Sequence, residues 1–309
     1  MRSRDMALAV AVMAVWGFNF IAIHVGLAQF PPVLFCALRF GLSAFPAIFF
    51  VGRPQVPWRW VFAVAVLLGV VKFSLLFAGM ASGMPSGLSA LVLQSQAIFT
   101  TAFAVAFLRE RVAGRQILGM VIAALGMVLV ASRLGPDRPA GAFALCVASA
   151  AAWGSANIAM RKAAAPDMLR FMVWVSAVAT PMLIVVSLLV EGPSADYAAL
   201  RSMSFSAFGA LVYIAFLSTL VGFGVWGSMI RKYGAATVAP FSMLVPFFAM
   251  ASGALVLGEK VHLTDIAGGA AVIGGVLIGA FRRAQAAAPA AAPSPAAQRP
   301  ETSYAARSV

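Results

Sequence analysis

Ten apolar runs, each about the 20 residues a helix needs to cross a hydrocarbon core, dominate this chain of 309 residues. They cover approximately 6–27, 32–51, 60–80, 86–107, 115–132, 140–161, 168–190, 206–229, 235–257 and 264–282. The expected fold is therefore an all-α polytopic membrane protein of ten transmembrane helices. The connections are short, apart from a loop expected around Glu191–Phe205.

The composition agrees. Apolar residues make up 62% and charged residues 10%, whereas a soluble domain carries about 25% charged. A net charge of +13 raises the question of nucleic acid. The basic residues, however, fall in the breaks between apolar runs and form no stripe on a soluble domain. Cytoplasmic loops carry the Lys/Arg excess of a membrane protein. With a cytoplasmic N-terminus, the inner segments hold Arg2, Arg4, Arg53, Arg59, Arg109, Arg111, Arg115, Arg161, Lys162, Arg170, Arg231, Lys232, Arg282, Arg283, Arg299 and Arg307. The outer loops hold Arg133, Arg138, Arg201 and Lys260. Sixteen against four places both termini inside, in a bacterial inner membrane. The start resembles a signal peptide, yet the run to Val25 is long enough to span and is read as the first retained helix.

The chain repeats itself. Ala14-Val-Trp16-Gly-Phe-Asn19 returns as Ala151-Ala-Trp153-Gly-Ser-Ala-Asn157, an offset of 137 between the tryptophans. Leu108-Arg-Glu110-Arg111, Gly119 and Gly126 return as Leu257-Gly-Glu259-Lys260, Gly268 and Gly275, an offset of 149. An insertion of about 12 between spans seven and eight reconciles the two. Each half holds five spans, an odd number, so the halves cross in opposite directions, an arrangement typical of transporters with a midplane site. The expected units are a first repeat over 5–133, a second over 139–283, and a disordered Ala/Pro-rich tail over 284–309.

Ionisable groups inside spans are costly and mark function by default. Three occur: His24, Arg39 and Lys72, while all nine acidic residues lie in loops, at span ends or in the tail. Lys72, central in span three, is placed to bind a carboxylate or exchange a proton, or else runs its stem to a water-filled vestibule. Arg39 in span two can grip a carboxylate bidentately or clamp polar groups structurally. His24, near the outer end of span one, is an interfacial histidine or a proton relay. Asn19 shares a helix face with Trp16, and Asn157 with Trp153; both pairs either line a cavity or bond between helices. Gln94 and Gln96 point about 200° apart on a helix, so at most one faces the pathway. Ser95 and Ser242 fill gaps between helices. Trp174, Tyr213 and Trp226 are candidate aromatic walls. Pro181 and Pro246 each remove a backbone donor and invite a kink or hinge. The glycines at 119, 126, 268, 275 and 279 read as helix-packing faces, and Cys36 and Cys146 as small packing residues. No metal-ligand spacing is present, and no GxxxxGK[ST] phosphate loop. An intramembrane enzyme would need a nucleophile, metal or carboxylate pair that the spans do not offer.

Five-plus-five spans, Trp16-Gly-x-Asn19, Leu38-Arg39-Phe40 and the Leu-x-Glu-Arg/Lys ends at 108–111 and 257–260 resemble the EamA family of the drug/metabolite transporter superfamily. The resemblance covers roughly residues 5–283. Trp16-Gly-Phe-Asn-Phe20, Phe45-Pro-Ala-Ile-Phe-Phe50, Gly83-Met-Pro-Ser-Gly87, Leu91-Val-Leu-Gln-Ser-Gln96 and Ala239-Pro-Phe-Ser-Met-Leu-Val-Pro246 look like its cysteine/O-acetylserine exporter branch. The resemblance implies alternating-access export of small amino-acid-like metabolites, with no cofactor. A multidrug cargo of the same fold is the rival expectation, and a non-transporting scaffold the other. Arg39 and Lys72 would repel a cation entering the centre, which favours zwitterionic or anionic cargo.

Overall fold

The computed structural model describes residues 1–132, 134–135 and 139–286, and every regular element among them is helical. The spans are α1 (Ser3–Leu27), α2 (Pro32–Val51), α3 (Trp58–Ala81), α4 (Ser86–Leu108), α5 (Gly114–Ala131), α6 (Ala140–Ala163), α7 (Met168–Val190), α8 (Phe205–Tyr233) and α9 (Pro240–Leu257). The last, α10, runs over Leu263–Ala286, with Leu263–Gly279 as its apolar part. Among the described residues nine helices are long and apolar enough to cross a membrane, with α10 the shorter tenth. The expected tail lies, from residue 287 onward, outside the described residues, and 284–286 continue α10.

The stretch expected as a long loop after α7 contains a short helix, Pro193–Arg201. Pro193 stands at its first turn, where a missing N–H costs nothing, and Asp196 is also in that turn. Ser187 Oγ lies 2.8 Å from Glu191 Oε2 and 2.9 Å from Asp196 Oδ1, tying this helix to the end of α7. Glu191 also accepts from the N–H groups of Val33 (2.7 Å) and Leu34 (2.9 Å), the orphan donors that open α2. Glu259, beyond α9, does the same for α4, accepting from Ser86 N–H at 2.6 Å and Gly87 N–H at 3.1 Å. Hydrogen bonds to a charged group are worth about 1.5–3 kcal/mol each, so these two carboxylates fasten one end of the bundle.

The two offsets found in the sequence recur as paired contacts. A Cβ on Gly17 of α1 would stand 2.9 Å from Ala249 N of α9, and one on Gly154 of α6 would stand 2.9 Å from Thr100 N of α4. Adding 137 to Gly17 gives Gly154, and adding 149 to Thr100 gives Ala249. The α1–α9 and α4–α6 crossings are thus the same contact made twice. The α5–α10 crossing maps onto itself, because Gly119 meets Gly275 while Gly126 meets Gly268. Small residues at such crossings let backbones approach where lipid supplies no hydrophobic drive. The glycines at 119, 126, 268 and 275 therefore pack as expected. α4 and α9 even end alike, in left-handed residues Arg109 (φ 53°) and Gly258 (φ 66°), again 149 apart.

Candidate substrate site

Irregular backbone concentrates at matched depths of the two repeats. α4 breaks between its helical halves Ser86–Leu93 and Gln96–Leu108. α9 is a 3-10 turn over Ala239–Leu244 before the α-helix Val245–Leu257. Gln94 and Ser95 correspond to Met243 and Leu244 at the offset of 149. α3 winds as π-helix over Ala65–Lys72 and α8 over Tyr213–Val221, matched at the same offset. Discontinuous helices at the repeat interface build transporter sites, and π segments collect at functional positions. Neighbouring side chains satisfy the backbone here. Ser149 Oγ donates to Lys72 O (2.8 Å), Trp16 Nε1 to Ser218 O (2.9 Å) and Thr219 Oγ1 to Ile214 O (2.8 Å).

Two cations occupy the centre beside α3. Lys72 and Arg39 are 5% and 4% exposed. Lys72 Nζ lies 3.4 Å from the Phe73 ring centroid and 4.8 Å from that of Trp153. The Arg39 guanidinium lies 4.0 Å from the same Phe73 ring, 5.0 Å from Phe40 and 5.9 Å from Phe77. Desolvated cation–π contacts of this kind reach about 2 kcal/mol. They do not use the in-plane N–H donors, and Arg39 Nε and Nη1 are buried without a hydrogen-bond partner. Among the described residues neither cation has a carboxylate within ion-pair reach. Burying a charge without a counter-charge is expensive, which marks these two side chains as the candidates for a functional role.

Toward the other end of α6, one helical turn beyond Trp153, lies a half-buried polar cluster. Asn157 Nδ2 donates to Gln96 Oε1 (2.7 Å) and to Thr100 Oγ1 (3.0 Å), and Thr100 Oγ1 donates to Gln96 Oε1 (3.2 Å). Of the two glutamines, Gln96 joins this cluster. Gln94 is buried, and its Nε2 makes one long contact, 3.5 Å to Met243 Sδ. The sequence offers Gln96 only as the alternative to Gln94, and it does not single out Thr100. The clue was available: both lie one turn apart on the α4 face that meets the second tryptophan motif.

The other candidates fall elsewhere. Trp16 is edge-on to Trp226 at 5.5 Å and beside Phe223 at 5.3 Å, forming an aromatic wall between α1 and α8. Tyr213 is edge-on to Phe18 at 5.6 Å and donates its hydroxyl to Val15 O at 2.7 Å, a second contact between α1 and α8. Asn19 is buried with Oδ1 unpartnered. His24 is exposed near the end of α1, apart from both cations. Trp174 bonds Gly52 O at 2.6 Å at the far end of α7, away from the centre. Pro246 sits where α9 changes from 3-10 to α, whereas Pro181 lies inside unbroken α7. A shallow niche lined by Ser43, Met172, Ser176 and Thr219 opens between α2, α7 and α8. Its hydroxyls are already spent on backbone carbonyls.

A duplicated five-helix fold with broken helices and uncompensated cations at its centre is that of a membrane carrier. The sequence pattern of the EamA-like transporter family matches residues 4–132 and again 140–280, and the chain belongs to that family. Two relatives, each called a probable amino-acid metabolite efflux pump, come from Salmonella typhimurium and Escherichia coli K12. Each is 36% identical over 287 residues, covering 91% of this chain and 96% of the relative. A probable terminal-alkyne amino-acid exporter of Streptantibioticus cattleyicolor is 25% identical over 63% of this chain and 64% of its own. A solved crystal structure shares the fold with a TM-score of 0.61 at 18% identity, covering 91% of this chain and 99% of its own.

Proposed function

We propose that this transporter exports small amino-acid-like metabolites, of the cysteine or O-acetylserine type, across a bacterial inner membrane by alternating access. The observation that carries this reading is the pair Lys72 and Arg39, buried against one ring with no acidic partner. Such a centre attracts a carboxylate and repels the hydrophobic cations typical of multidrug pumps. The names of the 36% identical relatives supply the amino-acid class and the outward direction. The substrate carboxylate binds between Lys72 and Arg39, and the Trp16–Trp226 wall packs the opposite side of the passage. Broken α4 and α9 are the elements whose halves rock between the two access states, with Pro246 at one break.

Purified protein in liposomes loaded with labelled cysteine or O-acetylserine should release either one faster than empty liposomes do. A panel of other amino acids should leave more slowly. Release of tetraphenylphosphonium or ethidium but no amino acid would replace this reading with multidrug transport. Both termini are assigned to the cytoplasm on the loop charges. A fluorescent protein fused at either end should therefore fold and fluoresce; a dark fusion at one end and a bright one at the other would overturn that topology.

A further inference from the structure

We propose that Asn157, Thr100 and Gln96 form a subsite for the substrate's α-ammonium group, so that the carrier selects zwitterionic α-amino acids over simple carboxylates. The inference rests on the reading that Lys72 and Arg39 take the carboxylate.

The first argument is the accounting of hydrogen bonds. Both Nδ2 hydrogens of Asn157 go to Gln96 Oε1 and Thr100 Oγ1, and the Thr100 hydroxyl hydrogen goes to Gln96 Oε1. Three of the cluster's donors are thus consumed internally. Among the described residues Asn157 Oδ1 accepts nothing, and Thr100 Oγ1 retains a lone pair. What remains is acceptor-rich, with Gln96 Nε2 as the unused donor. An ammonium group brings three donors and no acceptor, so it complements those free oxygens.

The second argument is distance. Lys72 Nζ reaches the Trp153 ring, and Asn157 lies four residues further along α6. Four residues at 1.5 Å rise are about 6 Å. Trp153 and Asn157 thus stand one turn apart on one face of α6. The cation at the Trp153 ring and the Asn157 cluster are therefore successive stations along that helix, the order in which the two charged groups of an α-amino acid would meet them. A carboxylate alone leaves the cluster untouched.

The third argument is the internal symmetry. At the offsets of 137 and 149, Gln96, Thr100 and Asn157 correspond to Val245, Ala249 and Phe20, and Lys72 corresponds to Val221. The contact Gly154–Thr100 and its counterpart Gly17–Ala249 show that this correspondence holds in space. The duplicate location replaces Gln96 and Thr100 with the apolar Val245 and Ala249, and its one nearby amide, Asn19, has a buried Oδ1 with no partner. The α1–α9 crossing therefore packs without a hydrogen-bonded cluster of this kind, which the α4–α6 crossing beside Lys72 alone carries among the described residues.

The test measures binding to the full-length protein in nanodiscs, using matched pairs. These are O-acetyl-L-serine with 3-acetoxypropionate, and L-cysteine with 3-mercaptopropionate, the second of each pair lacking only the amino group. The wild type should bind the amino acid at least tenfold tighter than its deaminated partner. Asn157→Leu and Thr100→Val should bring that ratio toward one while leaving affinity for the deaminated acid unchanged. Asn157→Asp, close in shape, should raise the ratio, which keeps the test decisive even if an apolar variant fails to fold. Lys72→Met should weaken both members alike. Equal binding of both members by the wild type, or a ratio untouched by these cluster variants, would overturn the ammonium subsite and leave the carboxylate site standing. Wild-type binding to neither member would overturn both.

Discussion

Lys72→Met is expected to lower protein-dependent flux at least tenfold while leaving the protein inserted, monodisperse and no less thermostable. The flux loss follows from chemistry. A charge-assisted hydrogen bond to a substrate carboxylate contributes about 1.5–3 kcal/mol, and 1.4 kcal/mol is already about tenfold. The stability outcome follows from what surrounds the ammonium. Its neighbours are the rings of Phe73 and Trp153, which a methionine of similar length and a polarizable sulfur can pack against. The charge itself gives the resting fold little. The Arg39 guanidinium lies against the same Phe73 ring, so two like charges share one ring and repel each other. Removing one should leave the thermal midpoint unchanged or raise it. A residue kept for structure would behave in the opposite way, losing stability first and activity only through it. Flux measured per folded molecule, beside a thermal melt, separates the two. Normal flux by the variant, or a melt that falls in step with activity, would take Lys72 out of the site. Lys72→Arg, which retains the charge on a bulkier planar head, should recover part of the flux.

The spans, the duplication and the central cations were legible in the sequence because each leaves a local signature. Apolar length identifies a span. An isolated lysine among 20 apolar residues identifies an expensive burial. Gly119, Gly126, Gly268 and Gly275 announced a helix crossing by their spacing, and the structure shows which glycine meets which. Other features leave no such mark. The break in α4 at Gln94–Ser95 contains neither proline nor glycine, so it reads as continuous helix. The same break in α9 is flagged only partly, by Pro246. The π segments of α3 and α8 have carbonyls bonded from neighbouring spans, by Ser149 of α6 and Trp16 of α1. Those are tertiary bonds that no window of α3 or α8 contains. Choosing Gln96 over Gln94 likewise depended on where Asn157 sits across the α4–α6 contact. The residues with local consequences were therefore found first, and those whose role is a contact between spans emerged only with the fold.

Gly275→Val should sharply reduce the recovered folded protein, whereas Gly274→Val, one residue away, should be tolerated. A Cβ on Gly275 would stand 2.7 Å from the backbone nitrogen of Ala123 and would also press on the carbonyl of Gly119. Backbone cannot rotate out of the way as a side chain can, so the whole crossing must separate. A Cβ on Gly274 meets nothing within 4 Å. Inserting bulk into a packed site usually costs about 1–3 kcal/mol and sometimes more. Here the upper end is expected, because helix association in lipid depends on close packing and lacks a hydrophobic drive of its own. The pseudo-twofold sharpens the expectation: Gly119–Gly275 and Gly126–Gly268 are one contact repeated, and opening either levers the other apart. Size-exclusion recovery and the thermal midpoint of both variants decide the matter, and equal behaviour would show that the α5–α10 crossing can loosen freely. Flux per folded molecule should stay near the wild-type value in Gly274→Val and in whatever fraction of Gly275→Val survives, since neither glycine touches Lys72, Arg39 or the Asn157 cluster. A loss of specific flux in the surviving fraction would mean instead that this crossing moves during transport, and α5 with α10 would then belong to the rocking elements and not to the frame that holds them.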